Sequence, residues 1–209
     1  MFFWSCAPSR FVKPLAAKQK AVNIAAGGPL VAYNSLTIPV PFVTATYGYG
    51  FDSTLTGFGS LNITSALYGN VQAELGITKN LFAQNGNAPG VSISPVANII
   101  YRPGTGAQLY PQIDINAYLD FNQHRNFFYA GISNWFDLHR NKASGVKQEH
   151  RWFISPEIGQ TFIRHKWDFT IEAKILAPVL ANNHIAVDYK TPLGNHGAFG
   201  IYFGYTRKF

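Results

Sequence analysis

Acidic side chains recur in runs of the sequence where polar and apolar residues alternate. Eight of the ten acidic residues lie on the polar side of such a run, and Lys174 lies among them. The eight are Glu74, Asp114, Asp120, Asp137, Glu157, Asp168, Glu172 and Asp188. Carboxylates gathered on one face of a sheet can select cations in a pore, or can form salt bridges with lysines such as Lys174 and Lys208. We predict that the first seven, with Lys174, form a polar network inside a closed sheet.

The histidines are the other residues that could do chemistry. They lie near the ends of the alternating runs or between them, at positions 124, 139, 150, 165, 184 and 196. Ser133 and His139 share one run, but six residues of strand separate them by ~20 Å, too far for a nucleophile and its base. No spacing is typical of a metal site, and no glycine-rich loop is typical of a phosphate site. We therefore expect no cofactor, no metal and no enzymatic activity.

The alternation that places these residues has a period of two, which is typical of β-strands. The clearest run is PQIDINAYLDF at 111–121, where polar and apolar side chains take turns. Ten such runs are predicted as strands: 21–33, 42–51, 55–67, 70–79, 91–101, 107–121, 126–138, 151–163, 166–178 and 197–209. Short segments rich in turn-forming residues separate most of them, and longer connections lie near 80–90, 139–150 and 179–196. Residues 184–190 also alternate, and we interpret them as an excursion within the last of these connections.

Composition limits the class of protein. Only 13% of the 209 residues are charged and 15% are aromatic, with one cysteine and a net charge of +7. A single cysteine excludes an internal disulfide framework. Lysine and arginine never occur in runs longer than two residues, which argues against nucleic acid as a partner. The positive charge instead suits anionic lipid and the phosphates of lipopolysaccharide.

The strands indicate a closed barrel that spans a membrane. No stretch of about 18 apolar residues exists, so a chain that crosses a membrane must do so with strands. Acidic residues in the middle of strands suit a polar lumen inside an apolar outer face, and runs of about 11–13 residues are long enough to cross. The predicted fold is an all-β, antiparallel, up-and-down transmembrane barrel of about ten strands, with eight as the alternative. A soluble ligand-binding barrel of the lipocalin type is the competing interpretation, in which the aromatic face of 199–209 would line a cavity.

The last run resembles the C-terminal signal of bacterial outer-membrane β-barrels. Its aromatic and aliphatic residues share one face and end on phenylalanine: Phe199, Ile201, Phe203, Tyr205 and Phe209. The run differs from that signal at Arg207, a position where the signal prefers an apolar residue. The resemblance implies that the barrel-assembly machinery reads this strand, that the protein resides in the bacterial outer membrane, and that both termini are periplasmic. Termini on one side require an even number of strands.

The first residues resemble an outer-membrane lipoprotein. MFFWSCAPSR places aromatic residues and a serine directly before Cys6, as at the end of a lipoprotein signal peptide, although the charged region and long apolar run of a full signal are missing. The stretches that follow, with Gly27-Gly28-Pro29 in the first strand, resemble poorly characterised outer-membrane barrel lipoproteins of Gram-negative bacteria. The resemblance implies that Cys6 is a lipidation site. We accordingly divide the chain into a segment and tether at 1–20 and a barrel at 21–209.

Three functions suit such a barrel. The leading hypothesis is a non-enzymatic scaffold or subunit of a larger outer-membrane complex for assembly, secretion or uptake. A narrow channel is the alternative, because carboxylates line the lumen, although inward Tyr110, Tyr118, Phe127, Tyr129 and Trp135 would obstruct it. A lipid-modifying barrel enzyme is the third hypothesis.

Overall fold

The structure, a computed structural model, consists almost entirely of β-strands. It describes residues 10–34, 36–104, 106–123, 125–139, 147–148, 150–182 and 188–209. The strands are β1 (Lys20–Tyr33), β2 (Leu36–Pro39), β3 (Phe42–Asp52), β4 (Leu55–Asn62), β5 (Val71–Phe82), β6 (Gly90–Arg102), β7 (Gly106–Phe121), β8 (Asn126–Phe136), β9 (Trp152–Ile163), β10 (Trp167–Ala181) and β11 (His196–Lys208). One short helix, α1 (Ile63–Leu67), follows β4. Within the described ranges, no helix has the length and apolar character needed to cross a membrane.

Ten of the described strands close into a barrel. Each pairs antiparallel with its neighbour along the chain, and β11 returns to pair with β1, with Ala21 opposite Lys208 and Pro29 opposite Gly200. β2 is an additional strand outside this ring and pairs with the far end of β1. The predicted closed antiparallel barrel of about ten strands is therefore confirmed.

The two faces of the barrel wall differ in polarity. Side chains that point inward are mostly polar and buried, as in β7, where Gln112, Asp114 and Asn116 are buried. Side chains that point outward are mostly apolar and exposed; Leu75 on β5 is 62% exposed and Ile158 on β9 is 64% exposed. Exposed apolar residues recur on strands all around the barrel, a larger apolar surface than a protein in water tolerates. An apolar outer band around a polar interior is the arrangement of a barrel immersed in lipid.

One predicted strand ends early. The sequence predicts a strand over 55–67, but β4 ends at Asn62 and α1 takes its place. The Asn62 side chain accepts a hydrogen bond from the backbone N–H of Ser65 at 2.9 Å, which is an N-cap that begins a helix. The alternation of polar and apolar residues continues past Asn62 in the sequence, but the strand ends there because the N-cap begins a helix.

Replacing Asn62 by alanine should lower the free energy of unfolding by about 1 kcal/mol, because the helix loses its N-cap. Urea titration followed by tryptophan fluorescence would measure this change. Asn70→Ala is the matched control, since the Asn70 amide makes only a long, exposed contact with the Tyr68 carbonyl. Equal effects of the two substitutions would contradict a capping role.

β1 continues beyond the barrel. Past Gly27 it leaves β3 and pairs with β2, so that Leu30 lies opposite Pro39. Gly27 has a φ of 145°, and a Cβ at this position would overlap the Ile201 carbonyl, so glycine allows the bend. Of the alternating stretch 184–190, the described residues 188–190 bond to this extension of β1, with Val31 opposite Tyr189. The sequence did not predict β2.

Candidate functional site in the barrel lumen

A stretch of chain lies inside the barrel. Residues 10–19, which we call the lumen plug, occupy the lumen at the end where β1 begins and β11 ends. The plug includes the described half of the segment that the sequence predicts as a tether at 1–20. Buried ion pairs and hydrogen bonds hold these residues in the lumen.

Backbone hydrogen bonds fix the course of the plug. The Ser92 hydroxyl of β6 donates to the Val12 carbonyl at 2.6 Å. The Leu15 N–H donates to the Thr56 hydroxyl of β4 at 2.7 Å. Nearer the rim, Gly50 of β3 pairs with the plug as a strand would, accepting from Lys18 at 2.8 Å and donating to Gln19 at 2.9 Å. Hydroxyl groups of the wall and one of its strands thus form hydrogen bonds with the backbone of the plug.

Two glycines of β3 make room for the plug. A Cβ at Gly50 would overlap the Ala16 carbonyl, and a Cβ at Gly48 would overlap the Phe11 ring. Phe11 and Leu15 are buried, and the Phe11 ring packs against Phe58 with 6.2 Å between centroids. The plug therefore has an apolar contact on one side of the lumen as well as its polar bonds.

Arg10 at the inner end of the plug lies in a carboxylate site. Its Nε donates to Glu74 Oε2 at 2.6 Å, and its terminal nitrogens form ion pairs with Glu74 and, at 3.9 Å, with Asp114. The guanidinium also lies 5.8 Å from the centroid of the Phe58 ring, within the range of a cation–π contact. The side chains of Arg10 and Glu74 are only 4% and 3% exposed, so this ion pair is almost fully enclosed.

Lys13 occupies a second site of the same kind nearer the rim. Its Nζ lies 2.6 Å from both carboxylate oxygens of Asp120. The same ammonium lies 5.0 Å from the Tyr118 ring and 5.3 Å from the Phe127 ring. Both plug cations therefore combine a carboxylate with an aromatic ring.

Lys174 of β10 forms a third site from the wall alone. Its Nζ lies 2.6 Å from Glu157 of β9 and 3.5 Å from Glu172. Tyr129 donates to Glu172 at 2.7 Å, and the ammonium lies 5.9 Å from the Tyr202 ring. These groups are all buried.

Hydrogen bonds between side chains hold the lumen wall in place. Gln112 donates to Asp114 at 2.8 Å and to Ser133 at 3.1 Å, and Asn98 donates to Gln112 at 3.0 Å. A cavity of about 10 Å³, room for about one water molecule, lies beside Arg10 and Asp114.

Six of the acidic residues predicted for the network face this lumen: Glu74, Asp114, Asp120, Glu157, Asp168 and Glu172. Asp168 lies at the rim, where Lys208 donates to it at 2.8 Å. Asp137 lies directly after β8, at the end of the barrel opposite to Asp120, and contacts His139 at 2.8 Å and Gln148 at 3.1 Å. Among the described residues, the wall therefore presents six carboxylates against Lys174 and Lys208, and the plug supplies two further cations.

The groups considered for catalysis are not assembled. Ser133 accepts a hydrogen bond from Gln112, whereas His139 contacts Asp137 and its ring lies 5.6 Å from the Tyr110 ring. In the described part of the chain, no group of three or more histidine, cysteine or acidic side chains could hold a metal ion. Cys6, the lipidation candidate, lies outside the described residues, as do His124 and His184.

The C-terminal residues lie on the seam of the barrel. β11 directs Ile201, Phe203 and Tyr205 outward, where the Tyr205 ring stacks near Trp167 and Phe203 near Phe169. Phe209 follows β11 and donates its backbone N–H to the Lys20 carbonyl at 2.8 Å. The apolar face predicted for this run therefore faces outward and does not line a cavity, which argues against the lipocalin-type interpretation.

The plug is the functional feature that sequence reasoning missed. The stretch RFVKPL carries two cations around a short apolar pair, and this spacing matches Glu74 and Asp120 only once the barrel is closed. The available signal was the pair Gly48 and Gly50 on the polar face of β3, because glycine inside a strand often marks the close approach of another backbone.

The fold and the lumen define the class. A closed antiparallel barrel with a polar interior and an apolar outer face is the architecture of transmembrane β-barrels. No family model matches the sequence, and no curated protein matches it. The structure is similar to the COG4313 outer membrane channel from Pseudomonas putida F1, with a TM-score of 0.51 and 9% identity over 97% of this chain and 100% of that one. At this identity the similarity shows the fold alone.

Two further structures are more distant. The translocator domain of the autotransporter NalP from Neisseria meningitidis has a TM-score of 0.48 and 7% identity, covering 95% of this chain and 91% of that one. The outer membrane protein OprG from Pseudomonas aeruginosa has a TM-score of 0.36 and 10% identity, covering 95% and 99%. We draw nothing from these two.

Proposed function

We propose that this chain is an integral protein of the bacterial outer membrane that acts as a narrow, cation-selective channel, closed at rest by residues 10–19. One observation carries the proposal. The lumen is wide enough to hold a peptide segment, and the segment is bound there by ion pairs and hydrogen bonds that a solute or water could replace. The outward apolar band supports the membrane location, and the fold is one that an outer membrane channel also has.

The charge of the wall supports cation selectivity. With the plug in place, Arg10 and Lys13 neutralise part of the excess of carboxylates. If the plug leaves, the described part of the wall presents six carboxylates to the lumen against two lysines, Lys174 and Lys208. Rings of acidic side chains favour cations over anions in pores.

Replacing both Arg10 and Lys13 by alanine should open the channel. Each substitution removes a charge-assisted bond, and a loss of ~1.4 kcal/mol already shifts the closed-to-open ratio about tenfold. We expect the open fraction in planar bilayers to rise at least about tenfold, with a reversal potential that favours K⁺ over Cl⁻.

The control is Lys20→Ala with Lys79→Ala, which removes two lysines outside the plug. The plug's position is checked separately by trypsin cleavage after Lys18. A double variant whose plug is cleaved readily but which still passes no current would contradict the channel.

A scaffold or subunit role is the second candidate. The observation that favours it is β2, a strand outside the barrel in which all four residues are exposed, with Leu36 at 65%. An exposed strand edge can pair with a strand of another protein. Co-purification of a larger outer-membrane protein that is lost in Ile38→Pro would support this role, and a barrel that purifies alone with or without the change would count against it.

Biogenesis and orientation follow from the same proposal. We propose that the barrel-assembly machinery reads β11 and its outward aromatic residues, that lipopolysaccharide surrounds the opposite end, and that both termini face the periplasm. Cys6 stays the predicted lipidation site. Mass spectrometry of the mature N-terminus would test the lipid.

A further inference from the structure

Three cations of the described lumen are bound in the same way, each by a carboxylate and an aromatic ring. Arg10 pairs with Glu74 and lies over Phe58; Lys13 pairs with Asp120 and lies over Tyr118; Lys174 pairs with Glu157 and lies over Tyr202. A carboxylate attracts any cation. The face of an aromatic ring adds to this for a poorly hydrated organic cation, whose charge is attracted by the ring and whose hydrocarbon part packs on it.

We infer that the lumen is a binding path for organic cations, namely a guanidinium or primary amine on a hydrocarbon stem, and that Arg10 and Lys13 are resident ligands of this path. The part of this inference that concerns transport rests on the proposed channel function. The site itself is assigned to Glu74, Asp114 and Phe58, which hold the Arg10 guanidinium.

The geometry distinguishes such a ligand from a metal ion. Ca²⁺ and Mg²⁺ require about six or more oxygen ligands in a compact shell. At the Arg10 site, Glu74 and Asp114 approach the guanidinium at different nitrogens, and Phe58 covers a face that a hydrated metal would need for water. The carboxylates are therefore spaced for a flat, extended cation.

The sites also follow one another along the axis of the lumen. Asp120 and Asp114 both point inward from β7 and lie six residues apart, ~20 Å along the strand. The plug reaches both with Lys13 and Arg10, three residues apart in its own chain. A cation entering from the rim would meet the Asp120 site first and the Glu74 site deeper in.

The test uses the full-length protein with Arg10→Ala, which leaves the Glu74 site without its guanidinium. The probe is butylguanidinium, which reproduces the charged part of the arginine side chain, and its neutral counterpart is butylurea. Isothermal titration in detergent should show butylguanidinium binding to Arg10→Ala at least about tenfold more tightly than to Arg10→Ala with Glu74→Gln, because the second variant loses the charge-assisted bond. Wild type, whose site is occupied, should bind weakly.

Several results would overturn the inference. Equal binding of butylurea, equal binding to the Glu74→Gln variant, or no binding to a properly closed Arg10→Ala barrel would each do so. Closure is checked by the faster gel migration of the unboiled sample. If Arg10→Ala does not fold, Lys13→Ala with butylamine applies the same test to Asp120, with Asp120→Asn as its partner variant.

The binding test and the bilayer experiment can contradict the cation site and the channel separately. Binding without current in the opened barrel would contradict the channel but leave the cation site standing. Current without binding would contradict the site and leave the channel.

Discussion

Replacing Lys174 by methionine should lower the free energy of unfolding by about 3–5 kcal/mol. The Lys174 ammonium is 4% exposed and lies between Glu157 and Glu172, which are buried as deeply. Methionine fills a similar volume but removes the cation that lies 2.6 Å from Glu157 and 3.5 Å from Glu172, both of which stay enclosed. Removing one partner of a buried ion pair is costly for this reason, even where the pair itself contributes little.

Urea titration in detergent, followed by the disappearance of the fast-migrating unboiled band, would measure this loss. Lys208→Met is the matched control, since it breaks a comparable pair with Asp168 at the more accessible rim, and it should cost about 1 kcal/mol or less. If Lys174→Met, Glu157→Gln and Glu172→Gln combined in one chain were no more stable than Lys174→Met alone, uncompensated charge would not be the cause.

Replacing Gly50 by alanine should expel the plug from the lumen. A Cβ on Gly50 would overlap the Ala16 carbonyl, which is backbone and cannot turn aside as a flexible side chain could. Gly50 lies in β3 and is not among the glycines with a positive φ, so alanine causes no backbone strain in the strand itself. The barrel should therefore stay closed while the rim hydrogen bonds from Lys18 and to Gln19 are lost.

Limited trypsin digestion measures this directly, because Arg10 is a cleavage site enclosed in the lumen, with its side chain 4% exposed, and hydrogen bonds to Gly50 hold the backbone on both sides of the Lys18 cleavage site. Cleavage should accelerate at least about tenfold, as expected for a loss of ~1.4 kcal/mol or more in plug binding. Gly204→Ala is the control: it also adds a methyl group facing the lumen, but its nearest neighbours, Asn23 and Thr170, lie at the ordinary distances of 3.4 and 3.5 Å. Equal protection of the two variants would show that Gly50 does not seat the plug.

The barrel wall was predictable from sequence because one physical cause governs it. Each strand has water or polar groups on one side and an apolar medium on the other, so Asp114 and Ile115 must alternate as they do throughout β7. Strand ends were less predictable. At Asn62 the alternation continues, but a local hydrogen bond to Ser65 begins a helix instead, and period two carries no information about caps.

The contents of the lumen were not predictable in the same way. A polar inward face looks the same in sequence whether water or another segment lies against it. The charge match of Arg10 to Glu74 joins residues 64 positions apart, and only the closed register brings them together. β2 was missed for a related reason, since LTIP alternates too briefly to distinguish a strand from a loop.

The plug runs directly into β1, with Gln19 still bonded to Gly50 and Lys20 already in the wall. No linker separates the resident cations from their sites, so after each release they return at an effective concentration of the order of millimolar or higher. A soluble cation that competes at equal intrinsic affinity must therefore reach that concentration in the surrounding medium. The barrel would open in the presence of an abundant solute and stay shut to a scarce one.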